Sequence, residues 1–275
     1  MKKKIFYLIR YSVLQDSKQW KIARDNDYEQ YKRALFGDER LALKYKLFSQ
    51  LTLPSVVAQQ RPDEADNYEV ILLTSKDLPT DRLNQLEQLA KKHPCLTILA
   101  VDPNRSFVSV ASNYLKQQFD RASEDCVYST VRLDDDDILH RRFERRLRFY
   151  TAKINLNYMV TFSQGYEAFL DKQRQYELSQ AIELYYPKIA LGLAQVGFYS
   201  AEKNSVIGKN IHVYQTGKHT TVNQRYNLIE DTTPHMFVRV SYDLQDTQAE
   251  GFLKRVKSAE CTDIKVLIEQ FPELV

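Results

Sequence analysis

Four short apolar runs, each separated from the next by a polar connection or a helical stripe, restrict the folds open to this chain more than any other feature. Residues 5–9 (Ile-Phe-Tyr-Leu-Ile) are unbroken by charge, the pattern of a strand covered on both faces, as in a parallel sheet. Residues 69–74, residues 95–101 and the run opening at Cys126 repeat it. Leu41, Leu43, Leu47, Phe48 and Leu51 recur at helical spacing after Gly37, with Asp38 as a cap and Pro54 as an interruption or kink. Leu83, Leu86, Leu89 and Ala90 form a second stripe capped by Thr80 or Asp81, and residues 108–121 a third. The stretch before Gly37 reads as a polar connection. Such alternation predicts right-handed crossovers and a Rossmann-like, mostly parallel α/β sheet with helices on both faces. Ligands then bind beyond the carboxyl ends of the strands, where Arg10, Ser12, Thr74, Ser75, Lys76 and Asp102 are expected.

The fourth run ends in four consecutive carboxylates, Asp134, Asp135, Asp136 and Asp137, followed by an Arg-rich helical pattern over 139–150. Read as strand end turning directly into helix, the period of two places Asp134 and Asp136 on one face with Asp135 opposite. Acidic residues before a helix stabilise it by only ~0.3–1 kcal/mol each. Two carboxylates ~5 Å apart repel by roughly 3 kcal/mol at an effective dielectric constant of about 20. A divalent cation relieves that conflict, and all-oxygen ligands favour magnesium, manganese or calcium over zinc. A solvated acidic cap or an interaction patch are the alternatives.

Beyond the quartet the pattern changes. Residues 158–162 read as a strand with which 165–170 can pair, 171–186 as polar and helix-prone, 211–214 as strand-like, and 247–271 as two short helices. The expected organisation is one domain of 275 residues: a half over 1–137, a mixed half over 138–246 and a helical tail over 247–275. A net charge of 39 − 36 = +3 gives no reason to expect a nucleic-acid partner, although bases cluster at Lys2, Lys3 and Lys4 and at Arg141, Arg142, Arg145, Arg146 and Arg148. Three scattered cysteines disfavour a disulfide framework, Arg10 interrupts the first apolar run before a signal-peptide core is complete, and no stretch approaches the ~20 apolar residues of a membrane span. A cytoplasmic location is expected. No Walker loop, GxGxxG or GxSxG is present.

Four stretches carry a family resemblance: Ile9-Arg10-Tyr11-Ser12; Leu53-Pro54-Ser55 with Gln59; Arg132-Leu133-Asp134-Asp135-Asp136-Asp137; and Lys218-His219-Thr220-Thr221-Val222-Asn223. In that order they resemble the bacterial rhamnosyltransferase family, glycosyltransferases of the GT-A fold with a DxD-type motif. The resemblance implies a nucleotide-diphosphate sugar as donor, a glycan or lipid-linked saccharide as acceptor in surface polysaccharide synthesis, and Mn2+ or Mg2+ as cofactor. It implies metal on Asp134 and Asp136, with His219 as a third ligand, and Arg10, Ser12, Arg132 and Asp134 around the nucleotide. An inverting transfer also needs a base, for which Glu230, Asp231 and Glu167 are the candidates. A lipid-linked acceptor would bring the enzyme to the inner membrane face as a peripheral protein. Two rival readings are a metal-dependent phosphohydrolase or nuclease using the same carboxylates, and a non-catalytic binding protein with acidic and basic patches.

Overall fold

The computed structural model describes residues 1–15, 27–59, 68–243, 249–256 and 259–274. Strand β1 (Lys2–Tyr11) is the centre of the first sheet, with β2 (Tyr68–Ser75) on one side and β4 (Cys126–Asp134) on the other, both parallel to it. Its side chains alternate between two cores: Ile5, Tyr7, Ile9 and Tyr11 face one, and Phe6 and Leu8 the other. That is the two-sided burial its unbroken apolar run requires. Strand β3 (Leu96–Val101) closes the β2 edge. Helices Thr80–Lys92 and Phe107–Asp120 make the crossovers.

The sheet continues past β4 through chain whose place in a sheet the sequence pattern left open. Strand β9 (Ala194–Ser200) pairs antiparallel with β4, β6 (Met159–Phe162) antiparallel with β9, and β11 (Leu228–Asp231) parallel with β6. With β10 (Ser205–Ile207) antiparallel on β9, the two expected halves share one sheet, eight-stranded among the described residues. A second sheet of four strands runs β5 (Ile138–Leu139), β12 (Phe237–Ser241), β7 (Gln164–Asp171), β8 (Glu177–Tyr185). Among the described residues no helix is long and apolar enough to cross a membrane.

Several expectations are corrected. The aspartate strand does not turn directly into a helix: a turn and β5 intervene, and the helix begins at Phe143. Residues 158–162 and 165–170 do not pair, because Ser163 alone separates β6 from β7 and the chain changes sheet there. The helix-prone 171–186 segment is mostly β8, which buries Ala181 in a third core, formed on the second sheet, and buries Ile182 beside it, while its polar residues face out. Tertiary pairing overrides local propensity here. A helix, Tyr28–Leu35, occupies part of the expected polar connection, started by a reciprocal cap between Asp27 and Gln30. Residues 211–214 are not a strand: the Gln215 side chain accepts from the backbone of Ile211 and His212 and stabilises a tight turn, Val213–Thr216. The tail does form two helices, Ala249–Val256 and Ile264–Gln270; Thr247, where the first was expected to begin, lies outside the described residues.

Pro54 does not end its helix. The helix Asp38–Leu47 passes into a π-turn, Phe48–Thr52, and resumes as Leu53–Val57. The wider turn puts the Leu53 amide on the Phe48 carbonyl, five residues back, ahead of a residue with no N–H to give. Upstream of the π-turn, Leu41 reaches the first core, and Leu43 and Leu47 the third, on the second sheet.

Close backbone approach makes one glycine obligatory. A Cβ at Gly165 would lie 2.6 Å from the Phe237 ring and against the Phe237 carbonyl oxygen on the neighbouring strand. Gly165→Ala should lower unfolding stability by about 1–3 kcal/mol, the cost typical of overpacking, measured by urea denaturation.

Candidate active site

Strand register builds the first part of the site. Arg10 and Asp134 are direct partners across the β1–β4 ladder, at its carboxyl end, and Arg132 lies two residues before Asp134 on the same face. Arg10 donates to Asp134 at 2.8 Å, and the Arg132 guanidinium stands 4.0 Å from it. Both guanidiniums pack on Tyr214, 5.3 and 5.5 Å from its ring centroid, and Phe107 meets that ring edge-on at 5.1 Å. The Val213–Thr216 turn delivers Tyr214: the Val213 amide donates to Thr130 on β4, and the Tyr214 hydroxyl to the Leu8 carbonyl. Burial alone would raise the Asp134 pKa, but the Arg10 and Arg132 charges outweigh it and hold the carboxyl well below the usual carboxylate range. The rim thus carries two fixed cations, one ionised carboxylate and an aromatic floor.

The remaining aspartates do not follow the strand period, because β4 ends at Asp134 and 135–137 is a turn. Asp135 and Asp136 both face Lys44, from the helix Asp38–Leu47: its ammonium lies 2.5 Å from Asp135 Oδ1 and 3.7 Å from Asp136 Oδ2. The expectation that Asp134 and Asp136 share a face while Asp135 opposes them is corrected accordingly. The Tyr242 hydroxyl donates to Asp136 Oδ2 at 2.7 Å, and the Val240 amide to Asp137 Oδ1 at 3.2 Å. All three carboxyls are buried, as is Lys44. Burial raises the Asp135 pKa, Lys44 opposes that and Asp136 adds to it, for a net value of about 6. Burial and the neighbouring Asp136 and Asp134 push Asp137 well above the carboxylate range. Lys44 keeps its charge because Asp135 and Asp136 offset the cost of its burial.

Ser12 sits at the end of β1 with φ +46, and its hydroxyl accepts from Arg40, one turn before Lys44. His219 Nδ1 lies 2.5 Å from the Lys188 carbonyl; since a carbonyl only accepts, Nδ1 carries the proton and Nε2 keeps its lone pair. Burial lowers the His219 pKa, and the charges of Arg132 and Asp134 reach it, so it faces the rim electrostatically. Glu230 is exposed on β11 and accepts from the Tyr185 hydroxyl at 2.9 Å. Its neighbour Asp231 is buried and accepts from Arg146 Nε, the Tyr150 hydroxyl and the Thr233 amide, which together lower its pKa against the effect of burial. Glu167 is not brought to the rim: it is fully buried on β7, clamped by two nitrogens of Arg255 at 2.6 and 2.8 Å and by the Ser241 hydroxyl.

Arg10, Arg132 and Asp134 therefore lie together, with His219 within electrostatic reach. Ser12 and Asp136 belong to the adjacent Arg40–Lys44 seam. Lys44, Tyr214 and Tyr242 were missed by sequence reasoning; each looks like an ordinary helix lysine or core tyrosine until the fold brings it across. Donor chemistry in the acidic turn suits a hard divalent cation: Asp135 Oδ2 is buried without a hydrogen-bond partner, and three buried carboxyls have one ammonium among them. Among the described residues, no group of three or more His, Cys, Asp or Glu side chains is already gathered around one point.

Residues 4–253 match a family model described as "Putative rhamnosyl transferase". No curated protein matches the chain. Similar solved structures include a mannosyltransferase from Pyrobaculum calidifontis in complex with GDP-mannose and Mn2+, at 13% identity and TM-score 0.38, covering 100% of this chain and 68% of that one. A "putative glucose-1-phosphate thymidylyltransferase" from Bacillus anthracis in complex with sucrose is similar over 86% of this chain and 88% of its own, at 12% identity and TM-score 0.33.

Removing Lys44 leaves buried carboxylates without their cation. Lys44→Met should cost about 3–5 kcal/mol in urea unfolding, and adding Asp135→Asn should recover part of that loss. Because the folded Asp135 pKa lies above its ordinary value of 3.8, the folded state holds a proton that the unfolded state releases. Its contribution to stability therefore declines as pH rises from about 4 to about 6. Asp135→Asn should flatten that part of the wild-type stability curve; an unchanged slope would show that another group titrates there.

Proposed function

The chain belongs to the family described as "Putative rhamnosyl transferase" and is a glycosyltransferase, and on that premise we propose that it moves a sugar from a nucleotide-diphosphate donor to a glycan or lipid-linked saccharide in bacterial surface polysaccharide synthesis. Family membership displaces the phosphohydrolase and non-catalytic readings. The observation that carries the donor assignment is the rim at the carboxyl ends of β1 and β4, where Arg10 and Arg132 flank an ionised Asp134 above Tyr214. Two guanidiniums offer forked donors to a diphosphate, and Asp134 offers an acceptor to a ribose hydroxyl. Tyr214 packs against both guanidiniums, and Phe107 against that of Arg10. Ser12, tied to Arg40, fixes the chain as it leaves Arg10.

We assign a divalent cation, Mn2+ or Mg2+, to Asp134 and Asp136, with His219 Nε2 as a further donor. When bound, such an ion supplies Lewis-acid stabilisation of the charge that develops on the leaving diphosphate. In the present arrangement Lys44 and Tyr242 hold Asp136 in the inward seam, so its carboxylate would have to leave them to share the ion with Asp134. For the acceptor proton, Glu230 is the best placed of the three candidate bases. It is exposed and bonded to one hydroxyl, whereas Asp231 is tied down by three donors and Glu167 is enclosed by Arg255. In an inverting transfer Glu230 would take the acceptor hydroxyl's proton as the bond to the anomeric carbon forms. The reaction would take place in the cytoplasm.

Calorimetric titration of a panel of nucleotides and nucleotide sugars, with Mn2+ and with chelator, tests the donor site. One nucleoside diphosphate should bind, and should need the metal, Arg10 and Asp136; Asp136→Asn binding as tightly as wild type would remove the metal assignment. Glu230→Gln should lower kcat about 100-fold or more at unchanged donor KM, while Asp231→Asn should mainly lower stability.

A further inference from the structure

We propose that the outer face of the helix Phe143–Tyr150 and the turn that follows it dock on an anionic lipid bilayer; this rests on the transferase reading only in that a lipid-linked acceptor gives the contact a purpose. The inner face of this helix is committed to the fold, with Phe143, Glu144 and Leu147 buried. Its outer face is not. Arg142, Arg145 and Phe149 follow one another at helical spacing and are exposed, and Arg141 precedes them. Phe149 is 74% exposed, and Ile154, in the turn Lys153–Asn155, is 87% exposed. These are the highest values among the large hydrophobic side chains of the described residues.

Single exposed apolar side chains are ordinary. Two large ones five residues apart, surrounded by bases, are a surface with a particular chemistry. Between 141 and 154 the sequence holds six bases and one acid, Glu144. Two of those bases are already engaged, Arg148 with Glu144 and Arg146 with Asp231. Arg141, Arg142 and Arg145 form no ion pair among the described residues, and Lys153 lies over the Phe198 ring with its charge exposed. Lys3 extends the basic field: its ammonium donates to the Arg148 carbonyl at 3.0 Å, which brings the Lys2-Lys3 end of β1 alongside.

The apolar tips decide between anionic partners. A nucleic acid accepts arginines and can stack a phenylalanine, but it takes an isoleucine only as a wedge, at the cost of unstacking a base step. A bilayer interface uses both, since the side chains sink between headgroups while the bases meet anionic lipid. Each base close to such a surface contributes roughly a fivefold gain in partitioning. The patch lies at the Lys3 end of β1, and Arg10 is seven residues on, about 23 Å at strand rise. A docked molecule would hold its rim away from the lipid, at a height reached by an acceptor already several sugars long.

Flotation with vesicles of phosphatidylglycerol mixed into phosphatidylcholine, against phosphatidylcholine alone, tests this without donor or acceptor. Wild type should float with the mixed vesicles and lose most of that binding in high salt. The pair Phe149→Ser with Ile154→Ser, and separately the pair Arg142→Glu with Arg145→Glu, should each reduce binding by about tenfold or more, with melting temperature and calorimetric donor binding unchanged. Wild type failing to float, or either pair floating like wild type, overturns the proposal. So does retention on RNA that only the arginine pair abolishes, or a concentration-dependent dimer that the serine pair abolishes while vesicles are ignored. Loss of donor binding with intact flotation would count against the transferase reading and leave the membrane surface standing.

Discussion

The buried ammonium of Lys44 is the contact on which the two parts of this molecule depend. The acidic turn after β4 is the joint between the first sheet and the second, since Asp134 ends one and Ile138 begins the other. Three carboxyls enclosed at such a joint are costly unless something compensates them. Lys44 supplies a charge to two, Val240 on β12 and Tyr242 just after it supply donors, and the Asp137 pKa sits well above the carboxylate range. The helix that presents Lys44 packs on the first core through Leu41 and on the core of the second sheet through Leu43 and Leu47, so electrostatic and apolar contacts fix the same joint. The π-turn before Pro54 serves that geometry by keeping the helix running past the turn.

One consequence is a division of labour within four consecutive aspartates. Asp134 is kept ionised at the rim by Arg10 and Arg132, while the next three turn inward to the Lys44 seam or to the second sheet. Identical side chains therefore differ in protonation, because their neighbours differ in charge and in burial. Two guanidiniums over an aromatic floor form the chemistry on which the proposed diphosphate site rests. The same crowding next door fixes the backbone from which Asp134 projects.

Sequence alone determined the parallel four-strand framework, since unbroken apolar runs of strand length, separated by helical stripes, have few ways to be buried. It also located the rim: Arg10 and Asp134 were both expected at strand ends, and adjacent parallel strands in register make them neighbours. Only the tertiary structure decided what lay beyond. Chain positions 159–162, 194–200 and 228–231 complete the first sheet and 177–185 joins the second, because pairing partners distant in the chain outweigh weak local preference. Where Asp135 and Asp136 point, that Glu167 is enclosed by Arg255, and that Lys44 and Tyr242 meet the acidic turn all follow from contacts across 88 to 106 residues of chain. A pattern of spacing carries the direction of side chains within one element; it has no information about which charge another element will bring within 3 Å of it.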